Sequence, residues 1–367
     1  MHEGSEPDGD LQPSTTASAV RPPRRSRFLR LLFTALAVSG WLLFVARATQ
    51  SIMAYALGPD RNSVWLYDWR VYYAGALDFV ERDLYRDGGI SVRALQMPVA
   101  VFNNPPMAAV IPIPLLPFGY ELGGLIWVAA GAIALFGSAL GAGRLTHTSI
   151  GLAWFGIFWL LYTTQPFFVR NIVLGNVNSF MLPIVVGFAW AHLRGDQRVA
   201  GALLGLAVAI KVWPLLIGLL LIRERRWLEI AWAGGLVAAQ GLLVVLLLGP
   251  DVLPSMVDAL RTVVPIPAGV VVVWTTWARE SFGWWPAWGS LAVAAVLIGY
   301  PARGRLGLGL GILAGLSLIA NLWDHYLPTL AFAALLMLSS GEVERLAQAL
   351  RSRLSRRRSH VGVMPVR

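Results

Sequence analysis

Asp68 is the residue whose type and position best suit acid–base chemistry. It lies in the aromatic-rich stretch 66–73 (LYDWRVYY), soon after the first long apolar run. Apolar residues from position 69 to 84 repeat at helical spacing, which predicts an amphipathic helix along a membrane interface. A carboxylate at the start of such a helix can accept a proton from a hydroxyl group of a membrane-bound substrate. Helix capping explains Asp68 equally well, because Asp is among the best N-cap residues.

Lys211 is the only lysine in the chain, and it lies inside the apolar run 199–222. About eleven residues separate it from either end of that run, which is roughly 15 Å of depth in an unbroken helix. A charge at that depth costs about 2.5–3.5 kcal/mol. The functional interpretation is a cation that faces an internal cavity and holds an anion such as phosphate. The structural interpretations are an ion pair between helices and a side chain that reaches the interface from a broken helix.

A polar turn that contains Trp323, Asp324 and His325 separates two apolar segments near the C-terminus. His325 can contact a phosphate or a sugar hydroxyl, and Asp324 can orient its imidazole ring. An ordinary polar turn is the alternative. The histidines are scattered singly along the chain without ligand spacing, so no metal site is expected.

Side-chain amides gather at the entrance of another apolar segment, in the stretch 170–178 (RNIVLGNVN). Asn176 and Asn178 can bind sugar hydroxyls, although helix capping by the same residues explains them equally well. Asn104 precedes two prolines at the start of a further segment. Because Pro suits the first turn of a helix, this element is interpreted as mainly architectural.

The elements that position these residues are transmembrane helices. The 367 residues are 56% hydrophobic and 14% charged, with a mean hydropathy of +0.62, whereas soluble domains carry about 25% charged residues. The composition predicts an all-α polytopic membrane protein. The absence of cysteine excludes disulfides and thiolate catalysis, and no P-loop, dinucleotide fingerprint or nucleophile elbow occurs.

Arginine clusters predict the topology. Arginines precede the first apolar run, follow the last one and occur in several of the connections between. The positive-inside rule predicts that these arginine-bearing segments are cytoplasmic. Nucleic-acid binding is not expected, because no folded basic domain accompanies them. The predicted organisation is a disordered cytoplasmic tail (1–27), a membrane domain (28–340) with an external loop (58–103), and a basic cytoplasmic tail (341–367). A helix broken around 211–214 (KVWP) that returns to the same side reconciles the two arginine clusters flanking 199–222, since Pro breaks helix interiors.

In this order, these residues resemble glycosyltransferase family 87, the membrane-embedded C-type transferases that use polyprenyl-phosphate sugars. The resemblance extends over residues 60–340, and its most specific part is 201–214 (GALLGLAVAIKVWP). The further matching elements are Asp68 with the tyrosines after it, Leu84-Tyr85, Asn104-Pro105-Pro106, Gly175-Asn176-Val177-Asn178 and Trp323-Asp324-His325-Tyr326. Three positions depart from the family pattern: Asn104 replaces an aromatic residue, Asn176 a glutamine, and Tyr326 the second histidine of a Trp-x-His-His element. These departures leave the sugar and the acceptor open.

The resemblance implies a C-type glycosyltransferase fold with about 10–12 membrane segments and an external amphipathic helix after the first. It also implies an inverting enzyme that moves mannose from polyprenyl-phosphate-mannose to an envelope glycolipid or polysaccharide. The reaction would occur on the outer face of the plasma membrane, with both termini cytoplasmic. No metal or other cofactor is required, because protein cations can hold the departing phosphate.

The residue roles that follow are these. Asp68 would be the general base, and Lys211, His325 and Arg70 would stabilise the departing phosphate. The other substrate-binding candidates are Tyr72, Tyr73, Asn176, Asn178, Trp323 and Asp324. The donor could instead be polyprenyl-phosphate-arabinofuranose. A lipid or glycolipid transporter, and an inactive relative that binds polyprenyl phosphate, are the alternatives from other classes.

Overall fold

The computed structural model of the protein describes residues 24–57, 66–85, 102, 104–146, 149–163, 174–261, 285–317, 326–342 and 348. Helices are the only regular secondary structure within these ranges, so the predicted all-α class is confirmed. In chain order they are α1 (Arg24–Leu57), α2 (Tyr67–Val80), α3 (Met107–Val110), α4 (Gly119–Leu145), α5 (Ser149–Thr163), α6 (Asn178–Arg194), α7 (Gln197–Ile210), α8 (Ile217–Arg223), α9 (Trp227–Leu248), α10 (Val252–Arg261), α11 (Trp285–Gly299), α12 (Gly304–Ser317) and α13 (Leu327–Leu338). Two 3₁₀ helices cover Ile113–Phe118 and Trp213–Leu216.

Three helical stretches are long and apolar enough to cross a bilayer, namely Leu31–Gln50, Met107–Leu145 and Trp227–Leu248. Their outward surfaces carry large apolar side chains, such as Leu246, which is 73% exposed on α9. A soluble protein rarely presents such a surface, whereas lipid tails solvate it. Shorter apolar helices pack against these stretches and against one another, with α5 against α1, α7 against α6 and α9, and α13 against α12.

The first helix is longer at both ends than its apolar run. α1 begins at Arg24, inside the predicted tail 1–27, and continues to Leu57. It packs along α5, where Gly40 and Gly156 let the two backbones approach closely. Small residues at such contacts are typical of helix pairs in membranes, because dispersion contacts replace the hydrophobic effect there.

The predicted break at Lys211 is confirmed. α7 ends at Ile210, and Lys211 has an extended backbone with φ −144° and ψ 140°. Pro214 then lies in the first turn of the second 3₁₀ helix, which leads into α8. The physical reason is that Pro lacks an N–H and clashes with the preceding turn, so the helix of α7 cannot continue through it.

The broken segment returns to the side from which it started. The His192 ring, at the end of α6, lies 3.3 Å from a carboxylate oxygen of Glu224 and 2.7 Å from one of Glu229. Glu224 directly follows α8, and Glu229 lies in the first turn of α9. The end of the segment 197–223 therefore lies beside the C-terminus of α6, next to which the segment also begins. The interpretation of a re-entrant segment is therefore confirmed.

The arginine-bearing connections gather at one end of the helix bundle, which we call the arginine end. Arg223 donates hydrogen bonds to the carbonyls of Ile298, Tyr300 and Ala302. Arg305 donates to the carbonyls of Leu145 and Ser339 at 2.8 and 3.0 Å. The starts of α6 and α13 and the break after α7 lie at the opposite end, since each of these helices has its other terminus at the arginine end.

Candidate active site

Helix α2 carries Asp68, but Asp68 does not cap it. The N-cap is Leu66, in a left-handed conformation with φ 56° and ψ 28°, and no side chain provides a cap hydrogen bond. Asp68 is the second residue of the helix, so the capping explanation is wrong. A non-glycine residue in this backbone region costs about 1–3 kcal/mol and is typical of functional sites.

The Asp68 carboxylate is held from a distant part of the chain. The Asn176 side-chain amide donates a hydrogen bond of 2.7 Å to it. The Asn176 amide oxygen in turn accepts a hydrogen bond of 2.9 Å from the backbone N–H of Asn178, at the start of α6. This second bond fixes the amide with its NH₂ group toward Asp68, because only the oxygen can accept.

Gly175 gives the chain the conformation that brings Asn176 to Asp68. Its φ is +68°, and a Cβ at this position would lie 3.0 Å from the Cβ of Trp69. Its carbonyl accepts a hydrogen bond of 2.7 Å from the Trp127 indole on α4. A glycine is therefore required here for two reasons, the left-handed backbone and the close approach of α2.

Burial makes Asp68 a better base than an ordinary aspartate. It raises the pKa of the Asp68 carboxyl, and the Asn176 hydrogen bond and the Lys211 charge offset only part of that rise. A general base works best when its pKa lies close to the working pH. Burial raises the pKa of Asp68 and so moves it toward the working pH.

Lys211 extends from the helix break toward the same place. Its ammonium interacts electrostatically with the Asp68 carboxylate and with the Tyr72 phenol. It also lies 3.4 Å from the Tyr326 hydroxyl, to which it donates, and 5.6 Å from the centre of the Tyr326 ring. The lysine that is isolated in the sequence therefore has three polar neighbours in the structure.

Tyr72 is a second residue of α2 that belongs to this cluster of polar side chains. It follows Asp68 by one helical turn, and its side chain is buried against Trp127 with ring centroids 6.0 Å apart. Burial raises the pKa of its phenol, so the hydroxyl keeps its proton and can donate it to a bound substrate. Asp68, Tyr72, Asn176, Lys211 and Tyr326 together form what we call the polar site.

The site combines a carboxylate whose pKa is raised, a lysine and two phenols at one end of a membrane bundle. A family model, glycosyltransferase family 87, matches residues 102–340, which is more than half of the chain. The protein belongs to glycosyltransferase family 87. It is therefore a membrane glycosyltransferase, which uses a sugar donor and an acceptor. No curated protein and no solved structure is significantly similar to this chain.

The family 87 match covers Asn176, Lys211 and Tyr326 but begins after Asp68. The link between Asp68 and the matched region is therefore structural, through its hydrogen bond to Asn176. Asn104, at the start of the matched region, is buried, and its backbone carbonyl accepts a hydrogen bond from the Tyr85 hydroxyl. This bond ties the chain after α2 to the start of α3.

Two predicted site residues of this family 87 transferase lie on another face of α2. Arg70 donates a hydrogen bond of 2.7 Å to the Tyr120 hydroxyl, and its guanidinium lies 5.6 Å from the Tyr120 ring centre. Tyr73 packs edge-on against the same ring at 5.6 Å. Both residues thus anchor α2 to the start of α4, away from Lys211. α2 also ends at Val80, four residues before the predicted end of the helix.

The remaining predicted residues divide into two groups. Asn178 is buried at the start of α6, and its side-chain amide has no hydrogen-bond partner among the described residues. Trp323, Asp324 and His325 lie outside the described residues. Across the described ranges, no group of three His, Asp or Glu side chains has a geometry that could hold a metal ion.

Tyr326 is the residue of the polar site that sequence reasoning missed. The sequence pattern identified it only as a departure from a histidine, whereas the structure places its hydroxyl against Lys211. The available signal was its position at the end of the polar turn, directly before α13. A residue there faces the same end of the bundle as the break after α7.

Proposed function

We propose that this transferase moves mannose from polyprenyl-phosphate-mannose to an envelope glycolipid or polysaccharide, with inversion at the anomeric carbon. The observation that carries the proposal is the Asp68 carboxylate, which the Asn176 amide holds at 2.7 Å, within electrostatic range of the Lys211 ammonium. Such a pair supplies a proton acceptor and an anion-binding cation in one place. The choice of mannose rests on the family resemblance of the sequence.

The proposed reaction needs both the Asp68 carboxylate and the Lys211 ammonium. Asp68 takes the proton of the acceptor hydroxyl while the hydroxyl oxygen forms a bond to the anomeric carbon. The bond between that carbon and the phosphate oxygen breaks, and its electron pair leaves with the polyprenyl phosphate. Lys211 stabilises the negative charge that develops on the departing phosphate. Tyr72 donates a further hydrogen bond to the phosphate or to the sugar.

The two ends of the bundle support an outward-facing site. Arginines such as Arg223 and Arg305 lie at the end opposite the polar site. The positive-inside rule assigns arginine-rich connections to the cytoplasm, which supports the proposal that Asp68 faces the outer side of the plasma membrane and that both termini are inside. Nucleotide sugars are cytoplasmic, so a transferase with this orientation requires a donor that is carried by a lipid.

The test is transfer of labelled mannose from polyprenyl-phosphate-mannose in membranes that contain the full chain. Asp68→Asn is expected to reduce transfer by about 100-fold or more, since it removes the general base while preserving its shape. The matched control is Asp196→Asn, which changes an N-cap carboxylate at the start of α7. Full activity of Asp68→Asn would exclude the assigned base.

The donor is tested in the same membranes. Polyprenyl-phosphate-arabinofuranose is supplied in parallel, and the proposal expects transfer of mannose to exceed transfer of arabinofuranose. Preferential transfer of arabinofuranose would keep the mechanism and overturn the sugar. Movement of labelled lipid across the bilayer without any glycosylated product would favour a transporter.

A further inference from the structure

The Tyr326 side chain contacts the Lys211 ammonium through its hydroxyl group. The Tyr326 hydroxyl accepts a hydrogen bond of 3.4 Å from it, and the ring centre of Tyr326 lies 5.6 Å from the same nitrogen. Tyr326 is 5% exposed. The two distances place the ammonium beyond the hydroxyl group rather than over the ring face, so the contact is one hydrogen bond from a charged donor to a buried tyrosine oxygen.

Lys211 is a residue that needs such restraint. A lysine carries a compact charge on a flexible four-carbon stem, and its position is not set by a planar fork as in arginine. The backbone of Lys211 is extended at the break after α7, outside both flanking helices. Nothing in its local sequence therefore directs the ammonium toward Asp68.

The backbone of Tyr326 is better fixed. Tyr326 is the N-cap residue of α13, and Pro328 lies in the first turn of that helix, where its fixed φ suits a helix start. α13 packs against α12, which also contacts the second 3₁₀ helix directly after Lys211. Tyr326 can therefore act as a rigid reference for the position of the lysine.

We propose that Tyr326 is a positioning residue, which holds the Lys211 ammonium toward Asp68 and toward the phosphate of the donor. This inference rests on the proposed function for the identity of the anion. Tyr72, on α2, lies within electrostatic range of the same ammonium, whereas Tyr326 contacts it directly. Tyr326 acts through Lys211 and takes no part in bond breaking.

Kinetics of the full-length enzyme in membranes test the action through Lys211. Tyr326→Phe keeps the ring and removes the acceptor oxygen, and it is expected to reduce kcat by about 10- to 100-fold, the range for one hydrogen bond to a charged group. In the Lys211→Met background the same substitution is expected to cause no further loss. Tyr326→His, which retains an acceptor nitrogen, is expected to recover part of kcat. Multiplicative losses in the double variant would overturn the inference.

A second readout does not depend on activity. Because Lys211 is the only lysine, incorporation of lysine labelled with ¹⁵N at Nζ places the label at a single position in the protein. Tyr326→Phe is expected to shift the Nζ resonance of Lys211 and to speed exchange of its protons. The matched control is Tyr300→Phe, which removes a hydroxyl at the arginine end and is expected to leave the resonance unchanged.

The two readouts separate failure of the inference from failure of the proposed function. An enzyme that transfers no sugar from any polyprenyl phosphate, but whose Lys211 resonance moves in Tyr326→Phe, refutes the proposed donor and retains the positioning role. An unchanged resonance in Tyr326→Phe overturns the positioning role, whatever the donor is.

Discussion

The Asn176 amide donates a hydrogen bond of 2.7 Å to the Asp68 carboxylate, across 108 positions of sequence. The bond joins the first turn of α2 to the entrance of α6. It stabilises the ionised carboxylate, while burial favours the protonated form. The balance between these two effects sets the pH at which Asp68 can act as a base.

Asn176→Ala is expected to move the acidic limb of the pH profile to higher pH. Removal of the hydrogen bond leaves burial less opposed, so the pKa of Asp68 rises further. As the proposed general base, Asp68 must be ionised to act, so the loss of activity on acidification is expected to begin at a higher pH in the variant. The measurement is kcat/KM for sugar transfer as a function of pH. An acidic limb at the same pH in both proteins would show that Asn176 does not affect the pKa of Asp68.

Asp68→Asn is expected not to lower the melting temperature at pH 7. The pKa of Asp68 is raised by folding. Its ionised form therefore costs stability at any pH above the pKa of an aspartate in an unfolded chain, about 3.9. The cost is present at neutral pH and disappears as the pH falls below that value. Melting of the purified protein at pH 7 and at pH 5 measures the difference. A variant that is less stable than wild type only at pH 7 would contradict the sign.

Lys211→Met is expected to reduce transfer by about 100- to 1,000-fold, because it removes the charge that we propose stabilises the departing phosphate. Arg70→Met provides the comparison. Since the Arg70 guanidinium is bound to Tyr120 rather than directed to the polar site, its removal is expected to cost about 1 kcal/mol of stability and much less activity. Initial rates and melting temperatures of both variants are measured together. A larger loss of transfer in Arg70→Met would show that Arg70 binds the substrate.

Gly175→Ala is expected to cost about 1–2 kcal/mol for the left-handed backbone, with about 1–3 kcal/mol more for overpacking. Gly195→Ala is the matched control, because Gly195 is also left-handed, with φ 80° and ψ 11°, and no atom lies within 4 Å of the added Cβ. Only Gly175→Ala displaces Asn176 and should lower transfer per folded molecule. Equal melting temperatures for the two variants would show that Trp69 moves aside without cost.

Glu229→Ala is expected to destabilise the protein by about 3–5 kcal/mol, because it leaves the buried His192 beside Glu224 without one of its two partners. The surface variant Asp251→Asn, which keeps a side chain that can cap α10, is the control and should change stability by less than about 0.5 kcal/mol. Transfer per folded molecule should be unchanged in Glu229→Ala, since Glu229 lies at the arginine end. Unfolding in detergent with increasing denaturant gives the stabilities.

Several features of this protein follow from local sequence. Composition alone predicts a polytopic membrane protein, because charged residues are too few for a soluble domain. The break at Lys211 follows from Pro214, which no helix interior accommodates easily. The arginine pattern predicts that α7 and α8 return to one side, and the His192 contacts with Glu224 and Glu229 confirm it. The sequence motifs also identify the family that the family model confirms.

Which residues form the polar site was decided by the tertiary structure. Residue type alone allows Asp68 to be a cap or a base, and the conformation of Leu66 with the hydrogen bond from Asn176 excludes the cap. Arg70 was a candidate for phosphate binding because it is close to Asp68 in sequence. A residue two positions along a helix faces away from the first, however, and Arg70 binds the Tyr120 hydroxyl instead. Tyr326 joined the site because α13 starts beside the break after α7. Hydropathy and proline act on neighbouring residues and can be read from the chain, whereas these contacts exist only once distant helices have packed.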